Sequence, residues 1–400
     1  MKILEYIAQD IAERTTAILG YPISITDKAG YIIGSTDRSR LGIFHQPSLE
    51  VLKKNGMINC ETEEEKKILP GVSVPIMFNN KAIGVLGIVG NPEEVETYVQ
   101  LVKSQVEMMC QEAFRKEMMD LESKMIEVFV QQMIHFENDE NAKHILQYTK
   151  TLDYDLEINR TCILIDINML SSNLAAKKGS ADFSDKLSFP YFQREVSDFL
   201  TLIFRESKAD ILSFLNVERF IIIKSIKSEE AYNAFIKTLE QKLGKLNNFL
   251  QSKYGFSAAI SVGDLKNGLR GIAESYRNAT KAMLVGKKTD QAPSIYLYND
   301  WDITLKLIPK ELAPDLQKKL LQTVKPLLEQ DNYEILASTF ITYCKYNMNL
   351  SETARNMYIH RNTIIYRLQK IGELTSLNTN AFEQCMLLYM AMRYYEEGKG

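Results

Sequence analysis

The stretch from Pro92 to about Phe136 restricts the fold most, because it contains no proline or glycine beyond Pro92 itself. Asn91 suits an N-cap, Pro92 suits the first helical position, and Glu94 follows three residues past the cap. Apolar residues recur at three-and-four spacing: Val102, Val106, Met109, Phe114, Met118, Leu121, Met125, Phe129 and Met133. This spacing predicts a long helix with one apolar face. The face packs either on its own domain or on a second copy of the chain, and either way the helix joins two domains.

The residues before this helix predict a small α+β sensor domain of PAS-like type, which ends with the long helix and spans residues 1–136. The first residues have the apolar spacing of an amphipathic helix. Short apolar strands then flank polar turns within 22–34 and again within 72–89, and a helix is predicted between these hairpins at 47–55. The order is therefore helix, hairpin, helix, hairpin.

Residues 137–295 predict a central α/β domain, and residues 296–400 predict an all-helical domain. A stretch rich in turn residues, Lys287 to Asp300, leads from one to the other. In the central domain three apolar strands alternate with two helices, in the order 162–167, 190–206, 220–226, 229–253 and 256–262.

The composition is that of a globular protein, and the charged residues that interrupt the N-terminal helix exclude a signal-peptide core, which predicts a cytoplasmic location. The net charge of -3 gives no overall basic character, so a contact with nucleic acid must come from a local patch. The five cysteines are far apart, without a C-x-x-C pair or a nearby histidine, which predicts free thiols and neither a metal nor a cofactor. No apolar stretch approaches the roughly 18 residues that cross a bilayer, so no membrane partner is expected.

Residues 350–373 have the pattern of a helix-turn-helix. Ser351 suits the cap of a short helix, small Ala354 suits a close approach of two helices, and Ile359 suits the turn. Tyr358 occupies a turn position where glycine is usual. Apolar residues at helical spacing would then bury one face of the second helix, and these are Ile364, Leu368 and Ile371.

The leading end and free face of this second helix carry cations and hydrogen-bonding groups and no carboxylate. Arginine and asparagine pair with base edges in the major groove, while lysine and tyrosine hold phosphates. The pattern predicts a double-stranded DNA operator as the partner, and its alternative is a solvated basic face on a structural hairpin. The predicted DNA-binding residues are Arg361, Asn362, Thr363, Tyr366, Arg367 and Lys370.

The segment His360–Leu368, HRNTIIYRL, resembles the C-terminal helix-turn-helix, of the purine-catabolism-regulator type, that is found in the carbohydrate diacid regulator family. Ser35–His45, STDRSRLGIFH, is similar to the sugar-diacid recognition motif of that family, and Gly71–Ile76 and Gly84–Val95 resemble further family segments. The resemblance covers nearly the whole chain. It implies a ligand-responsive transcription regulator, an activator rather than a repressor, of genes for the catabolism of sugar diacids, glycerate or related carboxylates. A homodimer or larger homo-oligomer is implied with it.

The sequence departs from the family at two places near this motif. Val89 stands where the family usually carries threonine, which removes a hydroxyl from the expected ligand site. Gln46-Pro47-Ser48 replaces the more usual Glu-Gly-Ala. The effector of this chain is therefore expected to be a small carboxylate such as a sugar diacid or a hydroxy acid, rather than one named compound.

The N-terminal motif makes chemical sense as a site for a carboxylate. Arg40 offers a planar fork, Ser35 and Thr36 offer hydroxyls, and His45 can donate a hydrogen bond or add charge. Gly71 to Ser73 can offer backbone N–H groups where a side chain would block approach. The alternatives are ordinary: a surface ion pair, a structural histidine and turn glycines. The predicted ligand-binding residues are Ser35, Thr36, Arg40, Gly42, His45, Gly71, Val72 and Ser73.

The central domain resembles a degenerate GGDEF module, through Ala258–Gly263 and Tyr276–Ala279. The signature hairpin of a nucleotide cyclase needs adjacent glycines and paired acids, but Phe214–Arg219 stands at that place. Asp166 follows the first strand as a lone acid, which is usually a cap or a surface residue. We therefore predict that the chain is not an enzyme. The remaining alternative to a ligand-responsive regulator is a constitutive DNA-binding protein whose first domain only oligomerises.

Overall fold

The computed structural model describes residues 3–60, 69–137, 142–169, 189–288 and 294–398. The chain forms two compact units, Met1–Met125 and Ile126–Gly400. The division between the units falls inside the long helix, so a single continuous helix contributes residues to both.

The first unit is built on an antiparallel sheet with the strand order β2-β1-β5-β4-β3. Both predicted hairpins are present, β1 with β2 and β4 with β5, and the edge strand β3 is an addition that the sequence did not reveal. The elements are α1 Ile3–Leu19, β1 Ile23–Thr26, β2 Ile32–Ser35, a 3-10 helix Arg38–Arg40, α2 Gln46–Lys54, β3 Ile58–Cys60, β4 Gly71–Phe78, β5 Lys81–Val89 and α3 Pro92–Ile134.

One face of this sheet forms the core of the first unit. Alternate residues along a strand point to the same face, so Val72, Val74 and Ile76 of β4 all reach the core. There they meet apolar residues of α1 and of the first half of α3. Gly34 allows β2 to lie close to α1, because a Cβ at this position would be 2.4 Å from the carbonyl of Ala8. Helix α2 and the 3-10 helix lie on the opposite face of the sheet.

Helix α3 begins where the sequence predicts, with Asn91 Oδ1 accepting a hydrogen bond from the N–H of Glu93 at 3.2 Å. One face of the helix between Val95 and Cys110 belongs to the core of the first unit, and the buried residues between Phe129 and Ile134 belong to a core of the second. Residues 115–124 are all exposed. The two ends of the helix therefore pack within their own domains. Pairing of its middle with a second copy of the chain stays a prediction.

The central part of the second unit has a sheet with the order β11-β9-β6-β8-β7, in which β11 and β9 are parallel and the other neighbours are antiparallel. Helices cover both of its faces, which gives the predicted α/β region. Its elements are α4 Ala142–Leu152, β6 Asn159–Asn168, α5 Phe189–Phe204, β7 Ile211–Phe214, β8 Arg219–Ser225, α6 Glu229–Ile236, α7 Leu239–Tyr254, β9 Ser257–Val262, β10 Lys266–Asn267, α8 Gly268–Lys287 and β11 Ile295–Leu297.

Asp166 lies within β6 rather than after it, and it is buried. One carboxylate oxygen is 2.7 Å from Nη2 of Arg219, and the other is 2.8 Å from Nζ of Lys287. The expectation of a cap or surface residue was therefore wrong. Burial of a carboxylate is costly unless it is paired, and this one has two cationic partners.

After β11 the regular elements in the described part of the chain are all helices, as predicted. A single core joins most of these helices, and a smaller cluster of Ala282, Val285, Ile303 and Leu307 packs α8 against α9. The helices are α9 Trp301–Glu311, α10 Pro314–Leu328, α11 Tyr333–Lys345, α12 Leu350–Met357, α13 Arg361–Thr375 and α14 Phe382–Gly398. In the part of the chain that is described, no helix combines the length and the apolar character that a membrane crossing requires.

Candidate functional site

Helices α12 and α13 form the helix-turn-helix, with the turn at Tyr358 to His360. Asn349 caps α12, since its Oδ1 accepts hydrogen bonds from the N–H groups of Ser351 at 3.0 Å and Glu352 at 3.2 Å. The prediction that Ser351 is the cap was wrong by two residues. The sequence places two good capping residues in one short stretch, and only the backbone geometry decides between them.

The inner face of α13 is the one that the spacing predicts. Ile364, Leu368 and Ile371 are buried, and they belong to one core with Phe340 of α11 and Leu388 of α14. Ile359 packs against the same core from the turn. Since this face is held by two other helices, the orientation of the opposite face is fixed by packing.

The leading end of α13 is open to solvent. Arg361 and Asn362 are exposed, Thr363 is half-buried, and Tyr366 is 67 % exposed one turn further along. His360 precedes the helix and caps it, because its Nδ1 accepts a hydrogen bond from the N–H of Asn362 at 3.2 Å. The backbone of this end is therefore ordered while its side chains remain available to a partner.

Arg367 and Lys370 are less open than the leading residues, since both are half-buried. Nη1 of Arg367 donates to Oγ1 of Thr339 at 2.9 Å, and Thr339 is buried in α11. Part of the guanidinium thus ties α13 to α11. A loss of DNA binding on substitution of Arg367 would combine a lost DNA contact with a lost contact inside the domain.

Gln369 belongs with the exposed residues and was missed from the sequence. It follows Asn362 by seven positions and Tyr366 by three, and it is exposed. Residues at this spacing lie on one helix face. A glutamine amide can pair bidentately with adenine in the major groove. The same helical spacing that located the buried residues would have identified it.

A narrow recess opens on the sheet face of the first unit that lies opposite α1. It brings together five of the eight predicted ligand-binding residues, Arg40, His45, Gly71, Val72 and Ser73. The other residues that line it are Ser24, Leu69, Gly87, Ile88 and Val89. Val89, where the sequence comparison predicted the loss of a hydroxyl, therefore lines the recess. In this conformation the recess has room for about one water molecule.

Arg40 is the cationic group of the recess. It ends the 3-10 helix that Asp37 caps, and it is 91 % buried. Burial lowers the pKa of its guanidinium, and the nearby Asp37 opposes that shift. Arginine keeps its charge at neutral pH despite such burial, so a positive charge lies beneath a small opening. The alternative of an ordinary surface ion pair does not describe this residue.

His45 is next to Arg40 in the recess, and its Nδ1 is 2.8 Å from Oγ of Ser48. Burial and the charge of Arg40 lower the pKa of the imidazole to about 4. His45 is thus neutral at physiological pH. Of the two alternative roles that the sequence suggested for His45, a hydrogen bond or an added charge, the neutral imidazole is compatible with the hydrogen bond.

Gly71, Val72 and Ser73 lie in β4 and reach the recess in different ways. Strand β4 pairs on both sides here, with β5 and β3, so its backbone N–H groups serve the sheet rather than a ligand. The side chain of Val72 belongs to the core on the opposite face. Gly71 is required for strand approach, because a Cβ there would lie 2.1 Å from the carbonyl oxygen of Ile88. Of the three, Ser73 has a side chain suited to a ligand.

Ser35, Thr36 and Gly42 lie outside the lining of the recess. The backbone of Ser35 is bonded to the amide of Gln9 in both directions, at 3.0 Å each. The hydroxyl of Thr36 is 2.6 Å from that of Thr16 and accepts from the N–H of Ile23. Gly42 adopts a positive φ of 78° in a turn. These three residues shape the loop that presents Arg40.

Ser24 and Gly87 were missed from the sequence as recess residues. Ser24 of β1 and Ser73 of β4 pair with Gly87 from either side, so two hydroxyls flank a glycine in one row across the sheet. A Cβ on Gly87 would lie 2.7 Å from Oγ of Ser24 and 3.6 Å from Oγ of Ser73. The missing side chain therefore creates the floor of the recess. The apolar-polar alternation of Ile23-Ser24-Ile25 is the signal that marks Ser24.

Other kinds of site are not indicated by the described residues. They contain no cluster of three or more histidine, cysteine, aspartate or glutamate residues suited to a metal ion. Cys110, Cys162 and Cys385 are buried free thiols, and Cys344 is a half-buried one. Burial raises the pKa of all four, which keeps them protonated.

Three family models match consecutive parts of the chain. The model described as "Putative sugar diacid recognition" matches residues 3–133, the GGDEF-like domain matches residues 137–285, and the PucR C-terminal helix-turn-helix domain matches residues 336–394. The recess falls within the first match, and the α12–α13 pair falls within the third. The three matches follow one another without overlap.

Curated relatives include regulators of known name. The carbohydrate diacid regulator of Escherichia coli (strain K12) is 28 % identical over 396 residues, which cover 98 % of this chain and 97 % of that protein. Two proteins of Bacillus subtilis (strain 168) match in part. The purine catabolism regulatory protein is 28 % identical over 43 % of this chain and 32 % of its own, and the proline-responsive transcriptional activator PutR is 25 % identical over 42 % of each. All three domain matches are present in this order, and the chain is similar over nearly its whole length to a carbohydrate diacid regulator.

Proposed function

We propose that this chain is a ligand-responsive transcription regulator that binds operator DNA through α13. The observation that carries the proposal is the leading end of this helix, where Arg361 and Asn362 are exposed on a backbone that His360 caps. A rigid helix end with a forked cation and an amide suits the major groove. In this proposal Tyr366 and Lys370 bind phosphates of the DNA backbone that flank the bases contacted by the helix end.

The proposed effector is a small carboxylate of the sugar-diacid, glycerate or hydroxy-acid class, bound in the recess of the first unit. Arg40 supplies the charge, and Ser24 and Ser73 supply hydroxyls on the floor. The lining contains a cation, an imidazole and two serine hydroxyls, which favour an anion over a hydrophobic ligand. Because the recess is narrow, side chains at its mouth must move when a ligand enters. The PAS-like character of this unit stays part of the proposal.

The regulation we propose is activation, by a homodimer or larger homo-oligomer in the cytoplasm. Ligand binding in the first unit shifts the balance between two arrangements of α3, and the shift alters how paired recognition helices fit two half-sites. The support is that α3 is one continuous helix with residues in both cores. An activating role is supported by the similarity to PutR, a proline-responsive transcriptional activator.

Two other functions have less support. A constitutive DNA-binding protein would need no buried cation in its first unit, and Arg40 disfavours it. A nucleotide cyclase would need free acids for metal ions, whereas both oxygens of Asp166 are occupied by Arg219 and Lys287. A scaffolding or oligomerising role for the central region fits these ion pairs better.

The experiment uses the full-length chain and DNA duplexes that it enriches from a random-sequence library. Substitution Arg361→Ala should weaken binding by roughly ten- to a hundredfold, the range for one lost bidentate base contact. Lys318→Ala removes the same charge from the exposed face of α10 and should change the affinity little. Undiminished binding by the Arg361 variant would contradict the proposed interface.

The effector is tested separately by thermal unfolding with glucarate, galactarate, D-glycerate and glycolate. A native-state ligand at 100 times its dissociation constant adds about 2.7 kcal/mol of stability. A selective rise in unfolding temperature that Arg40→Ala abolishes would support the recess as the site. If none of the compounds shifts the wild type, the proposed effector class is wrong while the DNA assignment stands.

A further inference from the structure

The turn of the helix-turn-helix contains an aromatic residue in a conformation that side chains rarely adopt. Tyr358 has φ 53° and ψ 37°, in the left-handed region, where it ends α12 with its N–H directed to the carbonyls of Ala354 and Arg355. A residue with a Cβ is disfavoured there because the Cβ crowds the following carbonyl. Glycine would adopt the same backbone without that cost.

Packing does not compensate for this conformation. The side chain of Tyr358 is 93 % exposed, so the fold gains almost no apolar burial from it. The other described non-glycine residues with positive φ have an evident reason to be there. Asparagine and aspartate tolerate the region, Met348 packs against the helical core, and Ser376 is small. Tyr358 alone among the described residues combines positive φ, a large side chain and full exposure.

The surroundings of Tyr358 favour an anionic partner. No carboxylate occurs between Glu352 and Glu373, while this stretch contains four cations, Arg355, Arg361, Arg367 and Lys370. Tyr358 precedes the first residue of α13 by only three positions, so its Cα lies within about 11 Å of that of Arg361. A phenol hydroxyl at such a place can donate to a phosphate oxygen, as tyrosines do at DNA backbones.

Strain that the fold does not use is a reason to look for a function. We propose that Tyr358 donates its hydroxyl to a phosphate of the DNA backbone beside the bases read by α13, and that the turn keeps its left-handed tyrosine for this contact. The inference rests on the proposed DNA-binding function and adds a backbone-contacting residue outside the recognition helix. Phosphate contacts fix the register of a protein on the duplex and do not read its sequence.

The test compares Tyr358→Gly and Tyr358→Phe with wild type in the full-length chain. Fluorescence anisotropy gives the affinity for a duplex enriched from a random-sequence library and for the same duplex with its central base pairs replaced. Tyr358→Gly should unfold at the same or a higher temperature, because the strain is relieved, and still bind both duplexes about tenfold more weakly. Tyr358→Phe keeps the ring and should show a similar loss.

Ser376→Gly is the matched control, since Ser376 is exposed, has φ 57° and ends α13 at its far end. It should relieve the backbone equally and leave both affinities unchanged. Affinities of the Tyr358 variants within twofold of wild type, while Arg361→Ala loses binding, would overturn this inference and leave the proposed function intact. A loss confined to the enriched duplex would indicate base reading and overturn the phosphate contact. A wild-type chain that enriches no duplex would overturn the proposed function itself.

Discussion

The charge state of His45 in the recess of the first unit is set first by burial and second by the charge of Arg40, both of which lower the pKa of the imidazole. Two neighbouring cations would repel each other in a desolvated place, and the imidazole avoids this by remaining neutral. The recess therefore has a constant charge, that of Arg40, across the physiological pH range. Ligand affinity in this range is expected to follow the ionisation of the ligand rather than that of His45.

The lowered pKa of His45 predicts a specific loss of stability in acid. In the unfolded chain histidine takes up its proton near pH 6.5, whereas in the folded chain it does so near pH 4. The stabilisation is present above pH 6.5 and is lost as the pH falls toward 4, by at most about 3 kcal/mol. Urea unfolding at pH 7.5 and 5.0 should show that His45→Gln loses less stability between these values than wild type does. Equal losses would mean that the imidazole is not desolvated in the folded chain.

Gly87 predicts a way to close the recess without unfolding the unit. In Gly87→Ala the new methyl would occupy the floor between Ser24 and Ser73, and the nearest atom is a serine hydroxyl that can rotate away. The variant should stay folded and bind DNA, and its unfolding temperature should no longer respond to the carboxylate that stabilises wild type. Gly244→Ala is a suitable control, because a Cβ at that helix position has no neighbour within 4 Å. A normal ligand response in Gly87→Ala would place the ligand elsewhere.

At the scale of elements, the residue that caps α12 is Asn349, whereas the sequence predicted Ser351. Asn349→Ala should destabilise the second unit by about 1 kcal/mol, since it removes the acceptor of two backbone N–H groups. Ser351→Ala, at the residue expected from the sequence, should cost much less. The free energy of unfolding of both variants is measured with urea. A larger loss in Ser351→Ala than in Asn349→Ala would mean that Ser351 is the cap.

Periodic patterns were the reliable part of the sequence. The buried face of α13, both hairpins of the first unit and the start of α3 all follow from spacing and capping preferences. Strand β3 was not found, because three residues are too few to show alternation. The recess was only half predicted, because it is made of Ser24, Gly87 and Ser73 from three strands, which register alone brings together. The ion pairs of Asp166 depend on the same long-range pairing.

At the scale of the molecule, α3 is the covalent path between sensing and DNA binding, and residues 115–124 are the part of it that neither core supports. Glu122→Gly combined with Ser123→Gly should weaken the helix here by about 1 kcal/mol per residue relative to alanine. Each unit should remain folded, and the ligand should still raise the unfolding temperature. The effect of the ligand on DNA affinity should disappear.

The matched control replaces the same two residues by alanine, which keeps the helix and should keep the coupling. The DNA affinity of the double glycine variant and of the double alanine variant is measured with and without the stabilising carboxylate. If the double glycine variant responds to the ligand as the double alanine variant does, the signal does not pass along α3.

The cluster that packs α8 against α9 has a consequence for building chimaeric biosensors. Ala282, Val285, Ile303 and Leu307 form one apolar cluster between the central region and α9, so a junction near residue 295 would cut through shared packing. A junction within 115–124 would cross only exposed side chains and could preserve the helical register. The practical module for exchange is therefore the sensor unit alone, with everything from Ile126 onward transferred as a single output cassette.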